Sequence, residues 1–393
     1  MAATAEPRPH RLTAVMREES RVTPLELFFD LVYVLALTQC TALLADDPTW
    51  EGLAKGLLVL GVMWWSWVGY AWLTSVVNPE EGAVRLIMFA AMAAFLVVAL
   101  CVPGAFEDQG LLFAGAYAFV RFAHIGLFLI CSRDDPGLRH AVWGLLASTA
   151  LGTGLLVGAS FADGVLQGAL WAAALAFDMG GPLVIDPAGW RLEPAHFAER
   201  HGLILIIALG ESIVAIGVGA EHGVTAGVVA AACVGIAIAA ALWWLYFDVV
   251  ALVAERRLSS AAPGRERNTI ARDSFSFLHF PMIAGIVLVA LGLKKTLEHV
   301  GDPLKVVPAT ALLGGLAAYL VAHVLFRYRN VHRISWQRLL AAAVLAALLP
   351  AALELPALAT LSFAAVVLAS VIVYETHHFA ELRDRLRHQL AHG

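Results

Sequence analysis

Charged side chains are scarce in this chain. Asp, Glu, Lys and Arg make up 15% of its 393 residues, against about a quarter in soluble proteins, which excludes an ordinary cytosolic enzyme. Positive charge is not in excess either. A formal net charge of −5 leaves no concentrated basic face for a phosphate backbone, so nucleic acid is excluded as the main partner. Cysteine is rare: Cys40, Cys101, Cys131 and Cys233 lie in or beside apolar runs, with no CxxC or Cys/His spacing. Neither a zinc site nor a disulfide framework is expected. No apolar stretch precedes residue 25, where Arg8, Arg11, Arg17 and Arg21 lie in a polar segment, and no cleavable signal peptide is expected.

Apolar surface, by contrast, is abundant. Hydrophobic residues make up 60% of the chain and the mean hydropathy is +0.77. A single globular core stops growing near roughly 250 to 300 residues, so the bilayer is the better solvent for this excess. A helix crosses about 30 Å of hydrocarbon with about 20 apolar residues. Twelve such runs are read, at about 25–44, 53–77, 84–103, 111–131, 141–160, 162–177, 201–220, 225–248, 274–293, 307–326, 337–353 and 356–374. The expected fold is an all-α polytopic integral membrane protein with twelve transmembrane helices.

The 26 Lys and Arg test this count, because cytoplasmic loops carry the positive excess. With the N-terminus inside, 21 fall on the cytoplasmic side and only Lys294, Lys295 and Lys305 opposite, so both termini are expected in the cytoplasm. An error of one helix would swap the sides of every later loop and destroy the asymmetry. The domains expected are a cytoplasmic tail (1–24), a first six-helix half (25–177), a cytoplasmic linker with an interface helix (178–200), a second half (201–374) and a cytoplasmic C-terminal tail (375–393).

Short matches link the halves: LVYVLALTQ at 31–39 with LILIIALGE at 203–211, WWSW at 64–67 with WWLY at 243–246, FAAMAAF at 89–95 with FPMIAGI at 280–286, and FAHIGLF at 122–128 with VAHVLFR at 321–327. Apolar helices also resemble one another by chance. Read as a duplication, six spans per half make the halves parallel repeats, an arrangement common in transporters.

Ionisable groups inside spans are expensive and so point to function. Glu26 and Asp30 share one face of the first span, Arg121 and His124 lie in the fourth, and Glu211 lies mid-way along the seventh. Tyr246, Asp248 and His279 lie on the cytoplasmic side with Glu26, forming an expected polar cluster, though Glu26 and Asp248 can also reach the interface as capping or solvated residues. Each buried group can alternatively serve packing alone, and Arg121 with Glu211 is the pair that this reading proposes. His196, Glu199 and Arg200 open the seventh span as a polar stripe, read with Trp190 and Arg191 as an interface helix. His377 and His378 read as part of a solvated tail. Trp64, Trp65 and Trp67, with Trp243 and Trp244, either wall a cavity or pack as bulk.

The segments RVTPLELFFDLVYVLALTQ (21–39), HFAERHGLILIIALGESIVAIG (196–217), WWLYFD (243–248) and HFPMIAGIV (279–287) resemble the bacterial low temperature requirement A family, over about residues 20–375. The resemblance implies a multi-pass protein of the bacterial inner membrane in a family named for growth in the cold. It carries over no substrate. Its polar motif positions fall on Glu26, Asp30, His196, Glu199, Arg200, Glu211, Asp248 and His279.

Two functions stay open. One is an ion- or proton-linked transporter or channel with Asp30, Arg121 and Glu211 as relay groups. The other is an intramembrane enzyme acting on a lipid or isoprenoid, with Asp30, Asp248 and His279 as acid/base groups or ligands for Mg²⁺, Mn²⁺ or Fe²⁺, although no DDxxD-like or HExxH run is present. No cofactor is required by the sequence, and the expected partners are membrane lipid and protons or small ions.

Overall fold

The computed structural model describes residues 21–80, 82–221 and 223–381. Most of the two tails, including Arg8, Arg11, Arg17 and the basic stretch after His378, lies outside these residues. The described chain is helical, with no strand beyond one isolated bridge between Pro303 and Pro356. The first half contains α1 (Pro24–Asp46), α2 (Trp50–Thr74), α3 (Gly82–Leu100), α4 (Gly110–Cys131), α5 (Pro136–Ala159) and α6 (Gly164–Val184). The second contains α7 (Pro194–Gly219), α8 (Ala226–Phe247), α9 (Val250–Ser260), α10 (Arg265–Ile270), α11 (His279–Glu298), α12 (Val306–Val331), α13 (Trp336–Ala347), α14 (Leu349–Ala352) and α15 (Ala357–His378). Among the described residues nine helices are long and apolar enough to cross a membrane.

All twelve apolar runs fall on helices, and the boundaries differ where polar residues sit. α6 continues to Val184, carrying Asp178 into the bundle, and α7 begins at Pro194. The expected 178–200 linker therefore shrinks to a short connection around a 3₁₀ turn at Pro187–Gly189. Gln167, Asp178 and a pair of glycines dilute the apolarity of α6. The run at 337–353 is broken into α13 and α14, with Pro350 in the first turn of α14, because proline cannot continue a helix past its first turn. The Arg-rich segment between α8 and α11, expected as a loop, is helical. Its last part, Ala271–Phe277, is a π-helical turn running into α11, with Leu278 N–H bonded to Asp273 O five residues back.

Local sequence sets several helix starts. Thr23, Thr49, Asp135 and Thr225 accept from backbone amides at the N-termini of α1, α2, α5 and α8, satisfying donors that have no partner within the helix. Loop contacts then define two ends of the bundle. Val22 N–H reaches Glu199 (3.0 Å), Glu193 N–H reaches Ser75 Oγ (2.8 Å), Arg265 reaches Asp186 (2.9 Å) and Arg329 reaches Asp273 (3.1 Å). These joins place the start of α1, the end of α2, the α6–α7 connection and the α9–α11 segment at one end, which carries most of the arginines and is called the basic end below.

α1 packs against α2, α7 and α11, and α2 also packs against α7 and α11. These four helices form the centre, with α2 and α11 the most enclosed of the long helices. α11 and α12 approach closely through Gly285 and Gly315: a methyl group built on Gly285 would lie 2.6 Å from Gly315 O. Gly285→Ala should therefore lower stability by about 1 to 3 kcal/mol through overpacking, read as a fall in Tm of the purified protein in detergent. An unchanged Tm would mean that the crossing is looser than this geometry.

Candidate functional site

The α1–α7 seam holds the site. Glu26 closes a capping box with Thr23, its Oε2 accepting from Thr23 N–H at 2.8 Å. Its Oε1 turns inward, accepting from His196 Nε2 at 2.8 Å and Arg200 Nη1 at 3.1 Å. One turn on, Asp30 Oδ1 accepts from Arg200 Nη2 at 2.7 Å and from Trp67 Nε1 on α2 at 2.8 Å. Glu26 and Asp30 are i, i+4, as are His196 and Arg200, so each helix presents two groups on one face. All four side chains are buried, none more than 1% exposed, and the Arg200 guanidinium lies 5.4 Å from the Trp67 ring centre.

Charge arithmetic makes this cluster chemically distinctive. Among the described residues two carboxylates face one arginine, with His196 beside them, so this set is one proton short of neutrality, with His196 or a carboxyl as the place to hold that proton. Burying an unbalanced charge is strongly unfavourable. Among the described residues Asp30 Oδ2 and Arg200 Nε are buried with no hydrogen-bond partner, an acceptor and a donor left for a proton, a water or a ligand.

A second group adjoins it. His201 donates from Nδ1 to Phe197 O (2.8 Å), which leaves its Nε2 as an acceptor, buried without a partner among the described residues. Its ring stands edge-on to Trp67, with centroids 5.1 Å apart, and 5.2 Å from His279. His279 donates to Ser274 O (3.0 Å) and accepts at Nε2 from the Tyr246 hydroxyl (2.8 Å). The π-helical turn contributes Ser276, whose carbonyl and hydroxyl take the indole N–H groups of Trp64 and Trp72, both at 2.9 Å. Such turns are frequent at functional sites. Trp64 and Trp67 thus wall the centre, whereas Trp243 and Trp244 are exposed on the outer face.

The pair offered by the packing-only reading does not form, and several expectations are corrected. Arg121 does not meet Glu211. It binds Asp178 Oδ1 at 2.7 Å, sharing that oxygen with Thr149, while Tyr117 donates to Oδ2 at 2.7 Å. Glu211 accepts from Thr38 on α1 at 2.7 Å, two helical turns from Asp30 along the same seam. The four-residue polar cluster divides: Glu26 joins His196 and Arg200, Tyr246 joins His279, and Asp248 lines a separate cleft between α8 and α12. Asp30, Asp248 and His279 therefore do not converge, and no group of three His, Cys, Asp or Glu residues able to hold a metal occurs among the described residues. His196 and Arg200 are buried rather than on an interface stripe, and only Glu199 of that motif is at the surface. Glu26 is a cap, as one reading allowed, but it is not solvated.

Sequence reasoning missed Asp178, Arg338 and Glu375. Arg338 pairs with Glu375 through Nε and Nη2, both at 2.7 Å, beside His323. Each of these residues lies at the end of an apolar run, where a loop or tail assignment explains a charge without a partner. The recurrence of His124 and His323 in the matched FAHIGLF and VAHVLFR segments was the available signal, since an arginine cluster adjoins each.

Because Glu211 has a neutral hydroxyl partner, Glu211→Gln should fold, changing stability by less than about 1 kcal/mol, since the amide oxygen accepts the same Thr38 bond. A variant that aggregates in detergent would show that the carboxylate is paired with a cation after all.

No solved structure matches the chain. It is similar to Uncharacterized protein RA0937 of Rhizobium meliloti, 32% identical over 313 residues, which span 75% of this chain and 74% of that protein. The family model described as bacterial low temperature requirement A protein matches residues 21–373. With the capping segment of α1, the His196–Arg200 turn of α7 and the Glu211 stretch all inside that match, the chain belongs to the bacterial low temperature requirement A family.

Proposed function

We propose that this protein is a proton-linked transporter of the bacterial inner membrane, with twelve spans, both termini in the cytoplasm and two parallel six-helix repeats. The observation that carries the reading is the buried Glu26–His196–Arg200–Asp30 cluster, one proton from neutrality and holding an orphaned carboxylate oxygen. In a low-dielectric interior such a group favours binding one proton, and gain or loss of that proton changes how strongly α1 and α7 are held together. Asp30 is the proton-binding group, Arg200 its counter-ion, and Glu211 a second station along the α1–α7 seam. Arg121, committed to Asp178, holds α4 and α6 together.

The repeat reading is supported by matching neighbours. α3 packs on α4 as α11 does on α12, α1 on α3 as α7 on α11, and α2 on α6 as α8 on α15. Each half also has a buried arginine joined to a carboxylate of its last long helix, Arg121–Asp178 and Arg338–Glu375. The basic end is assigned to the cytoplasm by its arginines. Reporter fusions at Asp47 and Glu107 should map outside, and at Asp135, Ser260 and Asn330 inside; two reversed assignments would sink the topology. The enzyme alternative would need Asp248 to join Asp30 and His279.

The test of transport is proton flux. Protein reconstituted in vesicles containing a pH-sensitive dye should dissipate an imposed pH gradient, and Asp30→Asn should reduce that flux to the level of protein-free vesicles. An Asp30→Asn protein that folds and conducts normally would remove the cluster from the mechanism.

A further inference from the structure

Away from this centre, the basic-end termini of α8, α12, α13 and α15 enclose a cleft of about 450 Å³. Arg327, Arg333 and Arg338 line it, against the carboxylates of Asp248 and Glu375. Arg338 and Glu375 neutralise each other through their two-pronged pair, so the remaining balance of the cleft is positive. Arg327 uses Nη1 to hold Ser335 Oγ, which fixes the guanidinium and leaves the other side of its fork to an anion. Arg333 is exposed.

A second hollow, of about 440 Å³, is lined by Ala, Val, Ile and Trp244, which lines both spaces. It runs between α8 and α15, past Ala241, Ala240 and Ala237 on one helix and Ala369 and Ala365 on the other. These small side chains leave a furrow, and Ala237, Ala240 and Ala369 are exposed on the outer face of the bundle. At 1.5 Å of rise per residue the stretch from Ala237 to Trp244 is about 10 Å long. It has room for a length of hydrocarbon chain.

The two spaces share Trp244 in their linings and are opposite in character. One offers arginine at the end of the bundle, where basic pockets between helices bind anionic head groups, and the other leads from it along the lipid-facing side. We propose that they form one site for a phosphate-bearing anionic lipid, its phosphate held by Arg327 and Arg333 and one chain laid in the α8–α15 furrow. Planar guanidinium forks suit phosphate oxygens. A choline head group would bring a cation into a positive cleft and is disfavoured.

The full-length protein in detergent tests this by thermal unfolding with phosphatidylglycerol, phosphatidylcholine or inorganic phosphate added. Phosphatidylglycerol should raise Tm at lower concentration than phosphatidylcholine, and inorganic phosphate should leave it unchanged. Arg327→Gln and Arg333→Gln should each weaken the apparent affinity for phosphatidylglycerol about fivefold. Ala369→Phe, which fills the furrow from an exposed position, should weaken it while leaving Tm without lipid unaltered. If Arg327→Gln fails to fold, Arg333→Gln and Ala369→Phe carry the test, because both replace exposed residues. Equal responses from wild type and variants would overturn the site. A full shift with inorganic phosphate, undiminished in Ala369→Phe, would assign the cleft to free phosphate and overturn the lipid.

Discussion

Arg200→Met is expected to destabilise the protein by about 3 to 5 kcal/mol, because it removes the arginine that bridges the buried Glu26 and Asp30. Arg200 donates to both carboxylates and also reaches Thr74 Oγ1 at 3.4 Å, so one substitution removes bonds that join α7 to α1 and α2. The loss should be visible as a large fall in Tm in detergent and a low yield of monodisperse protein. Neutralising the stranded groups tests the cause. The triple variant Glu26→Gln, Asp30→Asn, Arg200→Met should recover most of the lost stability, since apolar or neutral replacement of a whole buried ion cluster is often close to neutral. If it is no more stable than Arg200→Met, packing of the arginine stem, rather than charge, explains the first result.

The second large effect is expected at the other buried pair. Asp178→Leu leaves Arg121 charged, 1% exposed and held, among the described residues, by Thr149 and the Trp65 carbonyl, again a loss of about 3 to 5 kcal/mol. Arg121→Met strands Asp178 in the same way. The double variant should be much less destabilised than the sum of the two, giving a coupling energy of about 0.5 to 3 kcal/mol or more in a double-mutant cycle. Additive losses would contradict the 2.7 Å contact. The two predictions also separate roles: Arg121 and Asp178 balance each other one to one, whereas among the described residues the Glu26–Asp30 cluster is one positive charge short. Proton flux should therefore respond to a conservative change at Asp30, and Arg121→Lys should affect stability more than flux.

Much of the architecture was legible in the chain. Twelve apolar runs fall on helices, the Thr23-to-Glu26 spacing states the start of α1, and the i, i+4 pairs Glu26/Asp30 and His196/Arg200 state which groups share a face. The polar content of the first, seventh, eighth and ninth spans predicts that these four meet; α1 packs on α7 and α11, and α8 packs on α7 and α11. Identity of partners was not legible. Arg121 and Glu211 lie at similar depth, which made them an attractive pair, yet Arg121 meets Asp178 from a helix end that reads as linker. Likewise, His196 and Arg200 have the polarity of an interface helix, and only the two carboxylates facing them from α1 make burial affordable.

By itself, then, the sequence determined the solvent of this protein, the helices, several of their caps and the faces on which rare polar groups lie. Hydropathy and helical period act along a single axis, and both are properties of one segment at a time. The tertiary structure decided the rest: which charge neutralises which, which histidine meets which hydroxyl, and where one proton is lacking. These depend on the lateral order and rotation of α1, α2, α7 and α11, which are set by packing among all four. A buried charge can be neutralised only by a group within hydrogen-bond reach, whatever depth the two share.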